Sequence, residues 1–136
     1  MANVVERQVL VDGPRKMVLA IYVKSDGASG DLNKQVLVTP ADAGMDEDGR
    51  FAIVKVWYNF AGFDAILEFD AGGVSPNWKW VLTEGTNAPA DFESIGGLQD
   101  DSNALDRTGN LMLSTTGFTS SQDQGSLVLV LNKKEA

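Results

Sequence analysis

The chain has 136 residues, a formal net charge of −8, and neither histidine nor cysteine. Its length fits one domain spanning residues 1–136. The lack of cysteine excludes a disulfide framework, a thiolate nucleophile and a cysteine-ligated zinc site. Because most catalytic and many metal sites use histidine or cysteine, the composition points away from an enzyme. We therefore predict no catalytic, cofactor-binding or metal-ligating residue.

The placement of charges and the N-terminal sequence further limit which classes of binding partner we expect. Residues 41–107 hold 13 of the 19 acidic side chains and only 4 of the 11 basic ones. No cationic cluster is present that would bind a nucleic-acid backbone, so direct nucleic-acid binding is not predicted. The N-terminus lacks the basic start and apolar core of a signal peptide. No apolar run approaches the roughly 20 residues that span a bilayer. We predict a protein made in the cytoplasm with no membrane partner.

Eight short apolar-rich runs separated by turn residues predict eight β-strands. In chain order they cover residues 4–11, 15–25, 34–39, 50–60, 63–71, 77–83, 108–116 and 125–133. Asp12-Gly13-Pro14 predicts the first turn, and Ala61-Gly62 predicts a tight turn between the fourth and fifth strands. The pattern predicts an all-β fold, a two-sheet antiparallel β-sandwich of the jelly-roll type.

Alternation of side chains indicates which face of a strand is buried. The second strand places Met17, Leu19, Ile21 and Val23 on one face. In the fifth strand, the face that carries Phe63 and its apolar partners is expected to be buried. The opposite face, with Asp64, Ile66, Glu68 and Asp70, is expected to be mostly wet.

The last strand is apolar on both faces, since Val128 and Val130 alternate with three leucines. The face of an antiparallel sandwich strand that contacts water is normally polar. Here that face is apolar too, so both faces of the strand need cover. We expect that cover to come from self-association or from the long connection 84–107. This connection is the longest irregular stretch predicted, and it offers Phe92, Ile95 and Leu98 as apolar contacts.

Two further features have a structural and a functional interpretation. The acidic stretches 46–49 and 100–106 supply hard oxygen ligands of the kind calcium takes, but their spacing favours ordinary turns. Trp57, Trp78 and Trp80 either belong to the core or form a surface platform that binds sugar or protein. Residues 1–5 (Met-Ala-Asn-Val-Val) form an apolar N-terminal arm, whose Val4 and Val5 are further candidate contacts.

Several stretches together resemble a family of small virion proteins of tailed bacteriophages. They are Asp12-Gly13-Pro14-Arg15, the segment from Val56-Trp57-Tyr58 to Leu67-Glu68-Phe69-Asp70, Phe92-Glu93-Ser94-Ile95-Gly96-Gly97-Leu98, residues 108–117 (TGNLMLSTTG), and the final apolar strand. The chain is similar in size and pattern to the jelly-roll cement (decoration) proteins on phage heads, such as those of short-tailed Bordetella phages. The resemblance covers most of the chain and contains no catalytic signature.

The resemblance implies a non-enzymatic protein made in the host bacterial cytoplasm and added to the outer capsid surface in many copies. Its expected partners are the major capsid protein of a phage head and itself. A homodimer is favoured over a trimer because two-fold symmetry is the commonest closed arrangement of identical subunits. The alternatives are a carbohydrate-binding module on the virion surface, or another virion component such as a head–tail connector or tail protein. A flat, exposed tryptophan pair would favour sugar binding, whereas buried or subunit-covered tryptophans would favour cement.

Overall fold

A computed structural model describes residues 3–45, 49–70, 79–86, 90–92, 94, 97–99 and 108–134. Its longer strands lie close to the eight predicted runs. The elements are β1 (Val4–Asp12), β2 (Lys16–Lys24), β3 (Gln35–Val38), a 3-10 turn (Ala41–Ala43), β4 (Arg50–Ala61), β5 (Asp64–Phe69), β6 (Lys79–Leu82), β7 (Gly85–Thr86), β8 (Ala90–Asp91), β9 (Leu98–Gln99), β10 (Leu111–Thr116) and β11 (Gln124–Lys134).

The strands form two antiparallel sheets. The large sheet has the order β1-β2-β11-β4, and β7, β8 and β9 pair in turn along the outer edge of β4. The small sheet has the order β3-β10-β5-β6. If β7, β8 and β9 count as one interrupted strand, β2 to β11 have the strand order of an eight-stranded jelly roll. The β1 strand is then an additional strand at the edge of the large sheet.

The core lies between the two sheets and follows the predicted alternation. Met17, Leu19, Ile21 and Val23 of β2 are buried, and each pairs directly with a residue of β11. Leu127, Leu129 and Leu131 of β11 are fully buried on the same side. From the small sheet, Ala65, Leu67, Leu111 and Leu113 close the core from the opposite side. The predicted inner faces of the second and fifth strands are therefore confirmed.

Two expectations need correction. The long connection 84–107 is not wholly irregular, since three of its described parts are two-residue strands along β4. Each part is too short to show a period-2 pattern, which is why the sequence did not reveal them. The face of β5 expected to be wet is also mixed. Asp64 is exposed, whereas Glu68 is buried at 3% exposure.

Hydrogen bonds at several points fasten β1 to the sandwich. The Asn3 side chain donates to the Gly30 carbonyl oxygen at 2.9 Å and accepts from the Asp26 amide at 3.0 Å. At the other end, the Lys133 ammonium binds the Asp12 carboxylate and the Ala43 carbonyl oxygen. The β1 strand is thus held at both ends. No helix among the described residues is long and apolar enough to cross a membrane.

Candidate protein-binding surface

The face of the large sheet that points away from the small sheet, called here the outer face, has an apolar centre. Residues that pair directly across an antiparallel ladder share a face. One row across the strands contains Val11, Val18 and Val130, and the next contains Ala20, Val128 and Trp57. These six side chains form the outer-face patch. Trp57 is 39% exposed and Val11 is 50% exposed, while the other four are half-buried.

An apolar centre is unusual on a solvent-facing sheet. The outer faces of antiparallel sandwiches normally carry polar side chains, which gives the hydrophobic-in, polar-out alternation. Here the two central strands, β2 and β11, are apolar at consecutive outward positions: Val18 and Ala20 on β2, Val128 and Val130 on β11. Full burial of a valine-sized side chain contributes roughly 1.5–3 kcal/mol, so covering this patch would be favourable.

Cationic side chains surround the outer-face patch. Lys16 and Lys24 lie on the outer face at the two ends of β2, while Lys55 and Arg50 lie on the same face of β4. The carboxylates among the described side chains of this face are Glu6 of β1 and Asp91 of β8. The Lys55 ammonium lies 3.9 Å from the Asp91 carboxylate. Counted over the described side chains alone, the outer face has four basic and two acidic groups, whereas the whole chain carries a net charge of −8.

The free edge of β1 lies beside the outer face. On its other side, β1 has no paired strand among the described residues, since its ladder is with β2 alone. Val9, Leu10 and Val11 are exposed at 46%, 50% and 50%. The ladder with β2 is regular from Val4 to Val9, and its register shifts between Val9 and Val11.

Arg7 spans the open side of the sandwich between β1 and β3. Its guanidinium donates to the Leu37 carbonyl oxygen and to the Asp42 carboxylate, each at 2.8 Å. The hydrogen bond from Arg7 is the main cause that lowers the pKa of Asp42, with smaller contributions from the Thr39 amide and hydroxyl. A depression of about 400 Å³ lies beside this ion pair. Its mixed lining contains no histidine, cysteine or carboxylate pair arranged for catalysis.

The candidate residues from the sequence fall into three groups. Trp57, Val128 and Val130 come together in the outer-face patch. Val4 and Val5 belong to β1, where they pair with Lys24 and Val23, so they are not a separate arm. Val4 is 37% exposed, whereas Val5 is half-buried and packs against the core.

Trp80 and Phe92 are partly buried and pack against the core of the sandwich. Trp80 pairs with the buried Leu67 and so points inward, and the Phe92 ring meets its ring edge-on, with the centroids 4.9 Å apart. Trp57 and Trp80 therefore do not share a surface. Leu98 is in β9 and pairs with Ile53. The predicted positions Trp78 and Ile95 lie outside the described residues.

The acidic stretches yield no site in the described part of the chain. Asp46, Glu47, Asp48, Asp100, Asp101 and Asp106 lie outside the described residues. Among the residues that are described, no group of three or more His, Cys, Asp or Glu side chains is placed to hold a metal ion. The described Asp26 carboxylate instead stabilises its own turn by accepting hydrogen bonds from the residues that follow it. Hydrogen bonds from the Ser29 hydroxyl and from the Ser29 and Ala28 amides lower its pKa to about 2.

Sequence reasoning missed the β1 edge and the cationic rim. The consecutive residues Val9, Leu10 and Val11 were a signal, because three aliphatic side chains in a row cannot all face one side of a strand. The rim had no local signal, since its lysines and Arg50 are spread over β2 and β4, which only the sheet order places on either side of β11. No protein-family model matches the chain, and a search of curated proteins finds no significant match.

Proposed function

We propose that the chain is a non-enzymatic structural protein of a phage virion, which binds the outer surface of the head and links neighbouring major capsid protein subunits. The observation that carries this proposal is the outer-face patch with its cationic rim. An apolar centre inside a polar rim is the arrangement of protein–protein interfaces. The family resemblance of the sequence supplies the virion and the capsid as the setting.

The charges specify the chemistry of the partner. A rim with excess positive charge on a chain of net charge −8 favours a partner surface that bears carboxylates around an apolar centre. Such complementarity steers the acidic protein so that it approaches with this face rather than any other. The excess positive charge is small, which agrees with a protein rather than a nucleic acid as the partner.

The size of the outer face indicates how strongly one copy binds. Four strands at about 4.8 Å spacing and about 30 Å length give a planar footprint of roughly 600 Å². Each partner in a standard stable interface buries roughly 800 Å². A single copy is therefore expected to bind weakly, and repetition over the capsid lattice would provide the avidity that a cement needs.

Sugar binding is the second candidate, and the exposed ring of Trp57 is the observation in its favour. A sugar platform gains from a second exposed ring beside the first. Trp80 faces the interior against Phe92, so it does not form a surface pair with Trp57. The cement role accounts for more of the outer face, because it uses the valines and the lysines as well as Trp57.

The test is co-sedimentation of purified chain with heads assembled from the major capsid protein encoded in the same genome. We expect Trp57→Glu and Val128→Glu each to lower head binding at least tenfold while the variants stay folded by circular dichroism. The matched control is Val81→Glu, which places the same charge at a more exposed site (56%) in the small sheet. It should bind like the wild type.

Binding of the wild type should also weaken as salt rises, because charges at a solvent-exposed rim are screened. Normal head binding by both outer-face variants, or equal loss in the Val81→Glu control, would contradict the proposal. Binding of the wild type to a glycan but not to heads would favour the carbohydrate-binding alternative.

A further inference from the structure

A depression of about 270 Å³ lies on the outer face, over β2 and between β1 and β11. Its outward-facing side chains come from these three strands; they are Glu6, Gln8, Ala20, Tyr22, Ser126 and Val128. Ala20 and Ser126 are the smallest of the six, and they lie diagonally to each other on adjacent strands. Two small side chains among larger ones leave a hollow in the surface of a sheet. We call this hollow the socket.

The lining of the socket is apolar on one side and polar on the other. Ala20 and Val128 belong to the outer-face patch, whereas Glu6, Tyr22 and Ser126 form the next row across the strands. The Tyr22 hydroxyl donates to the Gln124 side-chain oxygen at 3.0 Å, which holds the phenol ring in place beside the hollow. The socket therefore offers an apolar floor, an aromatic ring, a hydroxyl and a carboxylate.

Glu6 is the carboxylate of the outer face that no described cation neutralises. The other described carboxylate, Asp91, lies 3.9 Å from the Lys55 ammonium. Lys24 is one row away from Glu6, because it pairs with Val4, and within the described part of the chain it forms no ion pair with Glu6. Glu6 is exposed, so water solvates it in the free protein.

A partner that covers the outer face removes this water from Glu6. Burying a charge is costly unless it is paired and hydrogen-bonded. The favoured partner therefore brings a cation to Glu6, although the rim of the same face favours carboxylates. A side chain that fits the socket has an apolar stem for the floor and a cationic tip for the carboxylate.

We propose that the socket receives one arginine side chain of the partner. Its methylene groups would lie on Ala20 and Val128, and its guanidinium would donate to Glu6 and stack on the ring of Tyr22. Arginine suits the lining better than lysine, because its planar guanidinium binds a carboxylate through two donors and also stacks on aromatic rings. The partner is that of the proposed function, on which this assignment rests.

The position of the socket gives it a role in specificity. An apolar patch alone permits several alignments of a flat partner. The socket lies to one side of the patch, towards β1, while Trp57 lies on the opposite side, on β4. Any alignment that moves the arginine out of the socket brings it towards the lysines of the rim, and like charges in contact disfavour that alignment. The socket would thus select one orientation of the docked chain.

Head binding gives the first test. We expect Ala20→Leu, which fills the socket, and Glu6→Gln, which removes its charge, each to weaken binding roughly tenfold, the loss expected for one charge-assisted hydrogen bond. The matched controls are Ala41→Leu and Glu84→Gln, which make the same changes at exposed positions outside the outer face. Both controls should bind like the wild type, and circular dichroism should show that all four variants are folded.

A titration with Nα-acetyl-arginine amide, followed by NMR, gives a test that needs no heads. The Ala20 methyl and Tyr22 ring signals should shift saturably at millimolar concentrations of the amide. The uncharged isostere Nα-acetyl-citrulline amide should cause smaller shifts, and Ala20→Leu should abolish saturation. Equal shifts with both amides, or no saturable shift in the wild type, would overturn the arginine socket.

The two experiments also separate the socket from the docking face. If Trp57→Glu loses head binding while Ala20→Leu and Glu6→Gln bind like the wild type, the outer face docks and the proposed socket is wrong. If the wild type does not bind heads at all, the proposed function fails, and the arginine titration alone decides whether the socket binds a guanidinium group.

Discussion

At Gly62 the turn between β4 and β5 runs directly over a buried carboxylate. Gly62 has a φ of +89°, and a Cβ at this position would collide with the Asp123 carboxylate oxygen. Asp123 is 7% exposed and accepts hydrogen bonds from the Thr119 and Ser120 amides at 3.1 and 3.0 Å. Glycine is therefore required here for two reasons, the left-handed backbone and the lack of space.

Gly44 separates these two reasons, because its φ is +76° but its Cβ would meet no atom within 4 Å. Gly44→Ala should lower the free energy of unfolding by about 1–2 kcal/mol, the cost of a left-handed alanine. Gly62→Ala should cost at least about 1 kcal/mol more, since Asp123 must give up hydrogen bonds to move. Urea denaturation of both variants measures the difference. Equal losses would mean that Asp123 moves aside freely.

Among the elements, the sequence located the long strands well and the interrupted edge poorly. In β2 the buried set from Met17 to Val23 alternates with a more polar set, so the inner face was predictable. The β11 strand is apolar on both faces, and only the sheet order decides which face lies inward. The two-residue strands β7, β8 and β9 exist because β4 offers a free edge, which is a tertiary effect without a local pattern. Trp57 and Val128 could be chosen as candidate contacts from the sequence alone, whereas the free edge of β1 could not be predicted. Its exposure depends on the sheet order.

The interrupted edge is attached to the small sheet through an aromatic contact. Phe92 packs edge-on against Trp80, and its amide donates to the Val54 carbonyl oxygen at 2.8 Å. Phe92→Ala should therefore lower the free energy of unfolding by about 1–3 kcal/mol, less than for a fully buried phenylalanine. Amide exchange at residue 92 should also become faster, because the ladder beside it loosens.

Val81→Ala is the control for this change, since Val81 neighbours Trp80 but is 56% exposed. Its effect on stability should stay within about 0.5 kcal/mol, as for other surface positions. Head binding by Phe92→Ala should match the wild type at temperatures where the variant is folded. A selective loss of binding with unchanged stability would show that Phe92 contacts a partner rather than the sandwich.

For the whole molecule, the outer face of the large sheet is the candidate docking surface. A jelly roll without cysteine is held by its own core, which extends through both sheets from Met17 to Leu131. That core leaves the outer face of the large sheet with apolar residues that no described part of the chain covers. A small, acidic protein that binds a repeating lattice through such a face needs many copies rather than one tight contact.

The most direct measurement is a cryo-EM reconstruction of heads with and without the chain. We predict that difference density for the sandwich lies outside the shell, over the boundaries between major capsid protein subunits. The outer face with Trp57 and Val128 should face the shell. Density confined to the tail, or sandwiches that contact the shell through the small sheet, would contradict the account.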